Sequence, residues 1–106
     1  MVKPSSEVPP AELEVLSALW RIGSGTVREV LEELERGGRR LAYTTVLTLL
    51  GRLETRGCVA VRKTAPAHVY RPRVSRDEVL SDRLGALVRQ LGEGNASALP
   101  GARAMR

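Results

Sequence analysis

A chain of 106 residues, 42% of them hydrophobic but with no Phe and one Trp, is long enough for one small domain with a core of Leu, Val and Ala, and too short for two domains. A single Cys and a single His exclude an intrachain disulfide and leave too few ligands for a structural zinc site. The formal net charge of +5 is unevenly distributed. Residues 37–73 carry eight bases and one acid, whereas residues 1–36 carry four bases and seven acids and residues 74–106 carry five bases and four acids. This uneven distribution predicts a directed polyanion-binding surface.

The first predicted helix follows a polar leader. Residues 1–8 are expected to be flexible. Pro9 or Pro10 can open the helix, and the carboxylates of Glu12 and Glu14 suit its positive N-terminal end. The apolar face of this helix, which should pack in the core, comprises Leu13, Leu16, Leu19 and Trp20, flanked by Val15 and Ile22.

A second helix is predicted to begin at a capping box. Thr26 and Glu29 have the spacing at which a hydroxyl and a carboxylate each accept a hydrogen bond from a free backbone N–H of the first turn. Apolar residues follow at i, i+3, i+4 and i+7, namely Val27, Val30, Leu31 and Leu34. Gly37 and Gly38 are expected to end this helix, which leaves a short connection to the next one.

A third helix is predicted from Tyr43 to Gly57, with two different faces. The inward face comprises Val46, Leu49, Leu50 and Leu53. A polar face comprises Thr44, Thr48, Arg52 and Thr55, joined at its start by Thr45. Hydroxyls and a guanidinium bind phosphates and base edges, so this face could read DNA, or it could simply be solvated. Gly51, in the helix interior, costs roughly 1 kcal/mol relative to Ala, and close packing against another helix is one explanation.

A basic hairpin is predicted next, with strands Cys58–Lys63 and Ala67–Arg71 around a turn at residues 64–66. Its charged residues are Arg62, Lys63, His68, Arg71 and Arg73. They predict a wing that binds the sugar-phosphate backbone, although charges also protect edge strands from aggregation. His68 is expected to be a polar or phosphate-binding residue rather than a metal ligand. Cys58 is expected to be a small core residue, with a redox role as the weaker alternative.

A fourth helix is predicted over residues 74–91. Ser75 and Glu78 form a second capping box. The apolar residues that follow, here called the C-terminal apolar stripe, are Leu80, Leu84, Leu87, Val88 and Leu91. This stripe could contact a partner chain or pack back on the first helix. Residues 92–106 are expected to form a flexible tail with one weak turn at residues 96–99.

Four segments in this order, AELEVLSALW, TVREVLEEL, AYTTVLTLLGRLETRG and HVYRPRVSRDEV, resemble the penicillinase and methicillin-resistance repressor family of bacterial winged-helix regulators. The resemblance covers about residues 9 to 91. It implies an α+β, mainly α fold: a winged helix-turn-helix over residues 9–73, with three helices and a two-stranded wing, followed by a C-terminal helix that supports dimerisation. The implied partner is double-stranded operator DNA with inverted repeats, near genes of the β-lactamase type.

The resemblance also implies which residues bind DNA. In the family, the helix that matches Tyr43–Arg56 enters the major groove and the hairpin is the wing. The candidate DNA-binding residues are Tyr43, Thr44, Thr45, Thr48 and Arg52 of the helix, Arg62, Lys63 and His68 of the wing, and, from charge alone, Arg39 and Arg40. The candidate dimerisation residues of the homodimer are those of the C-terminal apolar stripe.

The main departure from the family is in the C-terminal segment. Family members continue through further helices that hold two subunits together and contain the segment cut by a sensor protease, whereas only the fourth helix is predicted here.

The cysteine-rich metal motif of the copper-responsive branch is missing, so no metal and no other cofactor is expected. No catalytic constellation is visible, which predicts that the protein is not an enzyme. With no signal peptide or apolar segment of membrane-spanning length, a cytoplasmic protein is expected. The alternative function is a winged-helix protein–protein interaction module that uses Leu80–Leu91.

Overall fold

The computed structural model describes residues 8–95 and, within that range, side chains as far as Gly92. The predicted leader residues 1–7, the tail residues 96–106 and the weak turn at residues 96–99 lie outside the described residues. The elements follow in the order α1 (Pro10–Ile22), α2 (Val27–Arg36), α3 (Tyr43–Arg56), β1 (Val59–Arg62), β2 (Val69–Pro72) and α4 (Arg76–Asn95). The mainly α fold with a two-stranded wing is therefore confirmed.

Both predicted capping boxes are present. At the start of α2, the Glu29 backbone N–H donates to the Thr26 hydroxyl at 3.2 Å, and the Thr26 backbone N–H donates to the Glu29 carboxylate at 2.9 Å. At the start of α4, the backbone N–H of Glu78 donates to the Ser75 hydroxyl at 3.0 Å, and the reciprocal bond is 3.1 Å. Each box satisfies two N–H groups that the helix itself leaves unbonded, which fixes where the helix begins.

Glycine ends α3 as predicted. Gly57 adopts a left-handed conformation, with φ 82° and ψ 14°, which a residue with a Cβ rarely adopts. The next backbone N–H, that of Cys58, bonds the Leu53 carbonyl at 2.9 Å, in the pattern of a Schellman motif. The chain therefore turns sharply from α3 into β1, which places the wing beside the end of this helix.

The helices α1, α2 and α3 pack together around one core. The inward residues predicted for α3 are all buried, and Val30 and Leu34 of α2 are buried with them. The buried apolar residues are Val8, Val15, Leu16, Ala18, Leu19, Val27, Val30, Leu34, Val46, Leu49, Leu50, Leu53, Cys58, Val59, Tyr70 and Val79. At about 1.5–3 kcal/mol for each large apolar side chain, this burial is the main force that holds α3 in a fixed orientation.

The strands pair antiparallel, but the predicted ranges Cys58–Lys63 and Ala67–Arg71 are wrong at their ends. The Thr64 hydroxyl donates to the Ala67 carbonyl at 3.2 Å, so residues near the turn bond within the loop and not across the ladder. At the other end, β2 extends to Pro72, because an edge position does not require a backbone N–H.

A short third segment joins the hairpin to the helices. Gly25, just before α2, pairs with Tyr70 of β2 through two backbone bonds of 2.9 and 2.8 Å. An added Cβ on Gly25 would lie 2.9 Å from Ile22 Cδ1 and 3.2 Å from Glu29 Cβ. A larger residue at this position would therefore have to displace its neighbours, and glycine does not. The bridge fixes the wing relative to the start of α2. No local pattern in the sequence predicts this bridge, because the pairing spans 45 residues.

Val8 corrects the prediction of a flexible leader at residues 1–8. Its side chain is 2% exposed, and its carbonyl accepts a hydrogen bond from Arg83 of α4 at 2.6 Å. Trp20 holds the other side of the same junction, since its indole N–H donates to the Val74 carbonyl at 2.8 Å and its ring lies 5.2 Å from the Arg76 guanidinium carbon. The start of α4 is thus attached to α1.

The helix α4 is longer than predicted and largely free of the domain. It runs to Asn95 and not to residue 91. Val79 is buried, whereas the five residues of the C-terminal apolar stripe are 40–62% exposed. The alternative in which this stripe packs back on α1 is therefore wrong for this structure. No helix within residues 8–95 is long and apolar enough to cross a membrane.

Candidate nucleic-acid interface

The polar face of α3 lies on the surface of the domain. Thr44, Thr45, Thr48, Arg52 and Thr55 are all exposed. At 100° per residue, they lie on the side opposite the inward-facing valine and leucines that the core buries. The helix is therefore held by one side and presents hydroxyl groups and a guanidinium on the other.

Gly51 lies on this polar face. An ideal Cβ built on Gly51 would meet nothing within 4 Å, so the explanation of close packing against another helix is wrong. The Thr55 hydroxyl donates to the Gly51 carbonyl at 3.1 Å. Together with Thr48, Arg52 and Arg56, these residues line a shallow open groove of about 440 Å³ on α3. Because Gly51 has no side chain, the surface of α3 is recessed at this position.

The wing presents cations beside this helix. Arg62, Lys63 and His68 are exposed, as predicted, while Tyr70 points into the core. Burial raises the pKa of the Tyr70 hydroxyl, which keeps it neutral. Within residues 8–95, neither Arg62 nor Lys63 has a carboxylate within 4.0 Å, so their charges face solvent.

Arg39 and Arg40 differ from the cations of the wing, because both have carboxylate partners. Arg39 Nε lies 2.9 Å from a Glu14 carboxylate oxygen, and Arg40 Nε lies 3.8 Å from Glu35. Both pairs are exposed, and such pairs contribute about 0–1 kcal/mol, so a polyanion could compete for these arginines. Their assignment to DNA stays a prediction that the structure weakens in comparison with Arg62 and Lys63.

Arg28 was missed by the sequence analysis. It lies in the first turn of α2, is exposed, and its guanidinium carbon lies 5.9 Å from the centre of the Tyr43 ring. Tyr43, the first residue of α3, is 46% exposed. The sequence does contain a signal for Arg28, because this residue comes two positions after the capping residue Thr26 and therefore lies in the first turn of α2. It was obscured because residues 1–36 were treated by their summed negative charge.

A buried ion pair holds the end of α3 on α1. Glu12, only 2% exposed, accepts a hydrogen bond from Arg56 Nε at 2.6 Å. Glu12 lies in the first turn of α1 as predicted, whereas its burial and its pair with Arg56 were not predicted. Cys58 is buried nearby, and burial raises the pKa of its thiol. A protonated, inaccessible thiol fits the prediction of a small core residue and does not suit redox chemistry.

The family model described as penicillinase repressor matches residues 8–101. The chain belongs to the penicillinase repressor family. Among curated relatives, the transcriptional regulator BlaI of Mycobacterium tuberculosis is 39% identical over 87 residues, which cover 81% of this chain and 60% of that protein. The chain thus spans about three-fifths of the length of the relatives it matches. This family consists of transcriptional repressors and not of enzymes, as predicted.

Solved structures of the family have the same fold. The DNA-binding domain of the repressor BlaI matches with a TM-score of 0.60 at 29% identity, covering 74% of this chain and 93% of that one. Monomeric BlaI of Bacillus licheniformis, solved in complex with the blaP half-operator, matches with a TM-score of 0.56 at 29% identity, covering 68% of this chain and 87% of that one. The predicted winged-helix architecture is confirmed.

Proposed function

We propose that this protein is a DNA-binding transcriptional repressor, in which α3 enters the major groove of operator DNA and the wing lies along the sugar-phosphate backbone. One observation carries the proposal: the exposed side of α3 is a face of threonines and Arg52, and it lies next to Arg62 and Lys63 of the wing, which have no carboxylate within 4.0 Å in residues 8–95. The same fold in BlaI was solved with a half-operator. This supports DNA binding by the present fold.

The chemistry of the polar face suits base recognition. Short threonine side chains let the helix backbone approach the groove, and their hydroxyls and methyls can contact base edges and the thymine methyl group. A guanidinium such as that of Arg52 can bind a guanine through two parallel hydrogen bonds. Arg62 and Lys63 would then bind phosphates, which strengthens binding without selecting sequence.

We propose a homodimer formed through the C-terminal apolar stripe, with a second copy of the chain as the occupant. Leu80, Leu84, Leu87 and Leu91 are spaced by four, three and four residues, which places them on one side of α4, and all are exposed. A two-fold axis would lay each stripe against its copy and remove both from water. Two heads related in this way would require an inverted repeat as operator.

The finer assignments rest on the family alone. Operators near β-lactamase-type or related genes, a cytoplasmic location and a sensor protease as a further partner stay proposals for this chain. No group of three or more His, Cys, Asp or Glu side chains that could hold a metal ion occurs in residues 8–95.

Selection of bound sequences from random double-stranded DNA tests the proposal. We expect enrichment of an inverted repeat whose half-sites are separated, centre to centre, by about 10 bp or a multiple, so that both lie on one side of the duplex. Recovery of no enriched sequence, with equal retention of all DNA, would reduce the protein to a non-specific polyanion binder. A full-length chain with no retention of DNA at low salt would contradict the proposal altogether.

A further inference from the structure

A cleft lies between the N-terminal ends of α2 and α3 and the turn of the wing. Its volume is about 450 Å³, ample for a phosphodiester group, and its walls include Arg28, Tyr43, Leu47, Pro66, His68 and Tyr70. Among residues 8–95, no acidic residue lines it. Three separate elements of the chain therefore meet around a depression that is lined by the Arg28 guanidinium from α2 and by the His68 imidazole from the wing.

The Arg28 side chain lines this cleft, and its guanidinium forms no ion pair within the described chain. Glu32, one turn further along α2, has the spacing of a helical ion pair, yet no carboxylate within residues 8–95 lies within 4.0 Å of Arg28. Its guanidinium instead lies over the Tyr43 ring at 5.9 Å, near the outer limit of a cation–π contact. This contact places the guanidinium beside the Tyr43 ring, and both side chains line the cleft.

We infer that Arg28 binds a backbone phosphate of operator DNA at the mouth of this cleft, with the Tyr43 ring positioning its guanidinium. The inference rests on the proposed function and extends it to α2, which that proposal leaves without a role in binding. The ligand is a phosphodiester of one DNA strand, held between the reading helix and the wing.

A phosphate fits this position better than a base. If the polar face of α3 lies in the major groove and the wing lies on the backbone, the space between them must be crossed by a sugar-phosphate strand. Arg28 lies at the edge of that space on a different helix from the threonines. We therefore expect Arg28 to contribute to affinity for all DNA sequences equally, since phosphate contacts carry no sequence information.

The test is binding of the full-length chain to its selected operator and to a scrambled duplex, followed by fluorescence anisotropy at several salt concentrations. For Arg28→Ala we expect affinity for both duplexes to fall about five- to tenfold near 0.15 M salt, and the log–log salt slope to decrease in magnitude by about 0.9. Arg28→Lys should restore the slope but only part of the affinity, because an ammonium keeps the charge and loses the planar contact with Tyr43.

Arg89→Ala is the matched control. Arg89 is exposed on α4, on the side opposite the C-terminal apolar stripe, so its removal changes the net charge equally but far from the cleft. If Arg28→Ala behaves like Arg89→Ala, or if only the operator and not the scrambled duplex loses affinity, the phosphate assignment is overturned. If the unmodified chain binds neither duplex, the proposed function fails, which is a distinguishable outcome.

Discussion

Gly51 shows at the level of one residue how function and stability can oppose each other. A glycine in a helix interior costs roughly 1 kcal/mol relative to alanine. No contact within the described part of the chain, residues 8–95, requires it, since a Cβ at Gly51 would meet nothing there within 4 Å. The residue lies between Thr48 and Thr55 on the face proposed to enter the groove. Its missing side chain therefore leaves space where DNA would approach the helix most closely.

Gly51→Ala is expected to increase the free energy of unfolding by up to about 1 kcal/mol and, at the same time, to weaken operator binding. Urea denaturation and anisotropy on the same sample would measure both quantities. Gly85→Ala in α4 is the control, because its Cβ would meet only Arg89 Nη1, at 3.6 Å, and operator affinity should not change. A Gly51→Ala variant that is more stable and binds DNA as well as the original would show that the surface of α3 at this position is not in close contact with DNA.

At the level of elements, two kinds of contact fix the orientation of α3, namely apolar burial and an ion pair. The buried leucines fix its rotation about its axis, and the Glu12–Arg56 ion pair fixes its C-terminal end on α1. Glu12 is 2% exposed and the Arg56 side chain 29%, so loss of one partner leaves a charge in a poorly solvated place. This pair therefore differs from the exposed ion pairs of the same domain.

Glu12→Ala is expected to destabilise the protein by about 2–3 kcal/mol, below the usual figure for a fully buried pair because Arg56 retains some contact with water. Chemical denaturation measures this directly. Glu14→Ala breaks the exposed pair with Arg39 on the same helix and should cost less than about 1 kcal/mol. Equal losses for the two variants would mean that the burial of Glu12 has no energetic consequence and that α3 is held by apolar contacts alone.

Local signals in the sequence predicted the elements, and the long-range contacts required the structure. The boxes at Thr26 and Ser75 and the apolar spacing of α3 each act within one or two helical turns, so they can be found by periodicity. The Gly25–Tyr70 bridge and the Glu12–Arg56 pair join residues more than 40 positions apart, and no local pattern encodes them. For the candidate site, the exposed face of α3 and the cations of the wing were found from the sequence.

The arginines show where charge counting fails. Summed over a segment, Arg39 and Arg40 looked available, and both have carboxylate partners. Arg28 lies in an acidic segment, yet no carboxylate within residues 8–95 lies within 4.0 Å of it. Pairing depends on which side chains the fold brings together, and a sum of charges along the chain cannot contain that information.

At the level of the whole molecule, α4 determines how two domains could be joined. It extends from the domain, and the described residues span 59 Å in their longest direction. The five residues of its apolar stripe are 40–62% exposed, and Arg89 lies on the opposite side of the helix. Exposed leucines in such a row are costly in water, which favours burial against a second copy.

A Leu84→Glu, Leu87→Glu double variant is expected to be monomeric at micromolar concentrations where the unmodified chain sediments as a dimer, because two carboxylates would have to be buried without partners. Sedimentation velocity over a concentration series measures this. Arg89→Ala should sediment as the original does. If the unmodified chain is a monomer throughout the series without DNA, the C-terminal apolar stripe does not by itself join two copies.

The most direct test of the central claim is the ratio of the affinities for the selected operator and a scrambled duplex, compared between the original chain and a Thr48→Ala, Arg52→Ala double variant. If α3 reads the groove, the variant should lose about 1–3 kcal/mol of operator binding for the Arg52 contact alone, while its affinity for the scrambled duplex falls much less. An unchanged ratio, with the variant folded and the original selective, would contradict the assignment of α3 to the major groove.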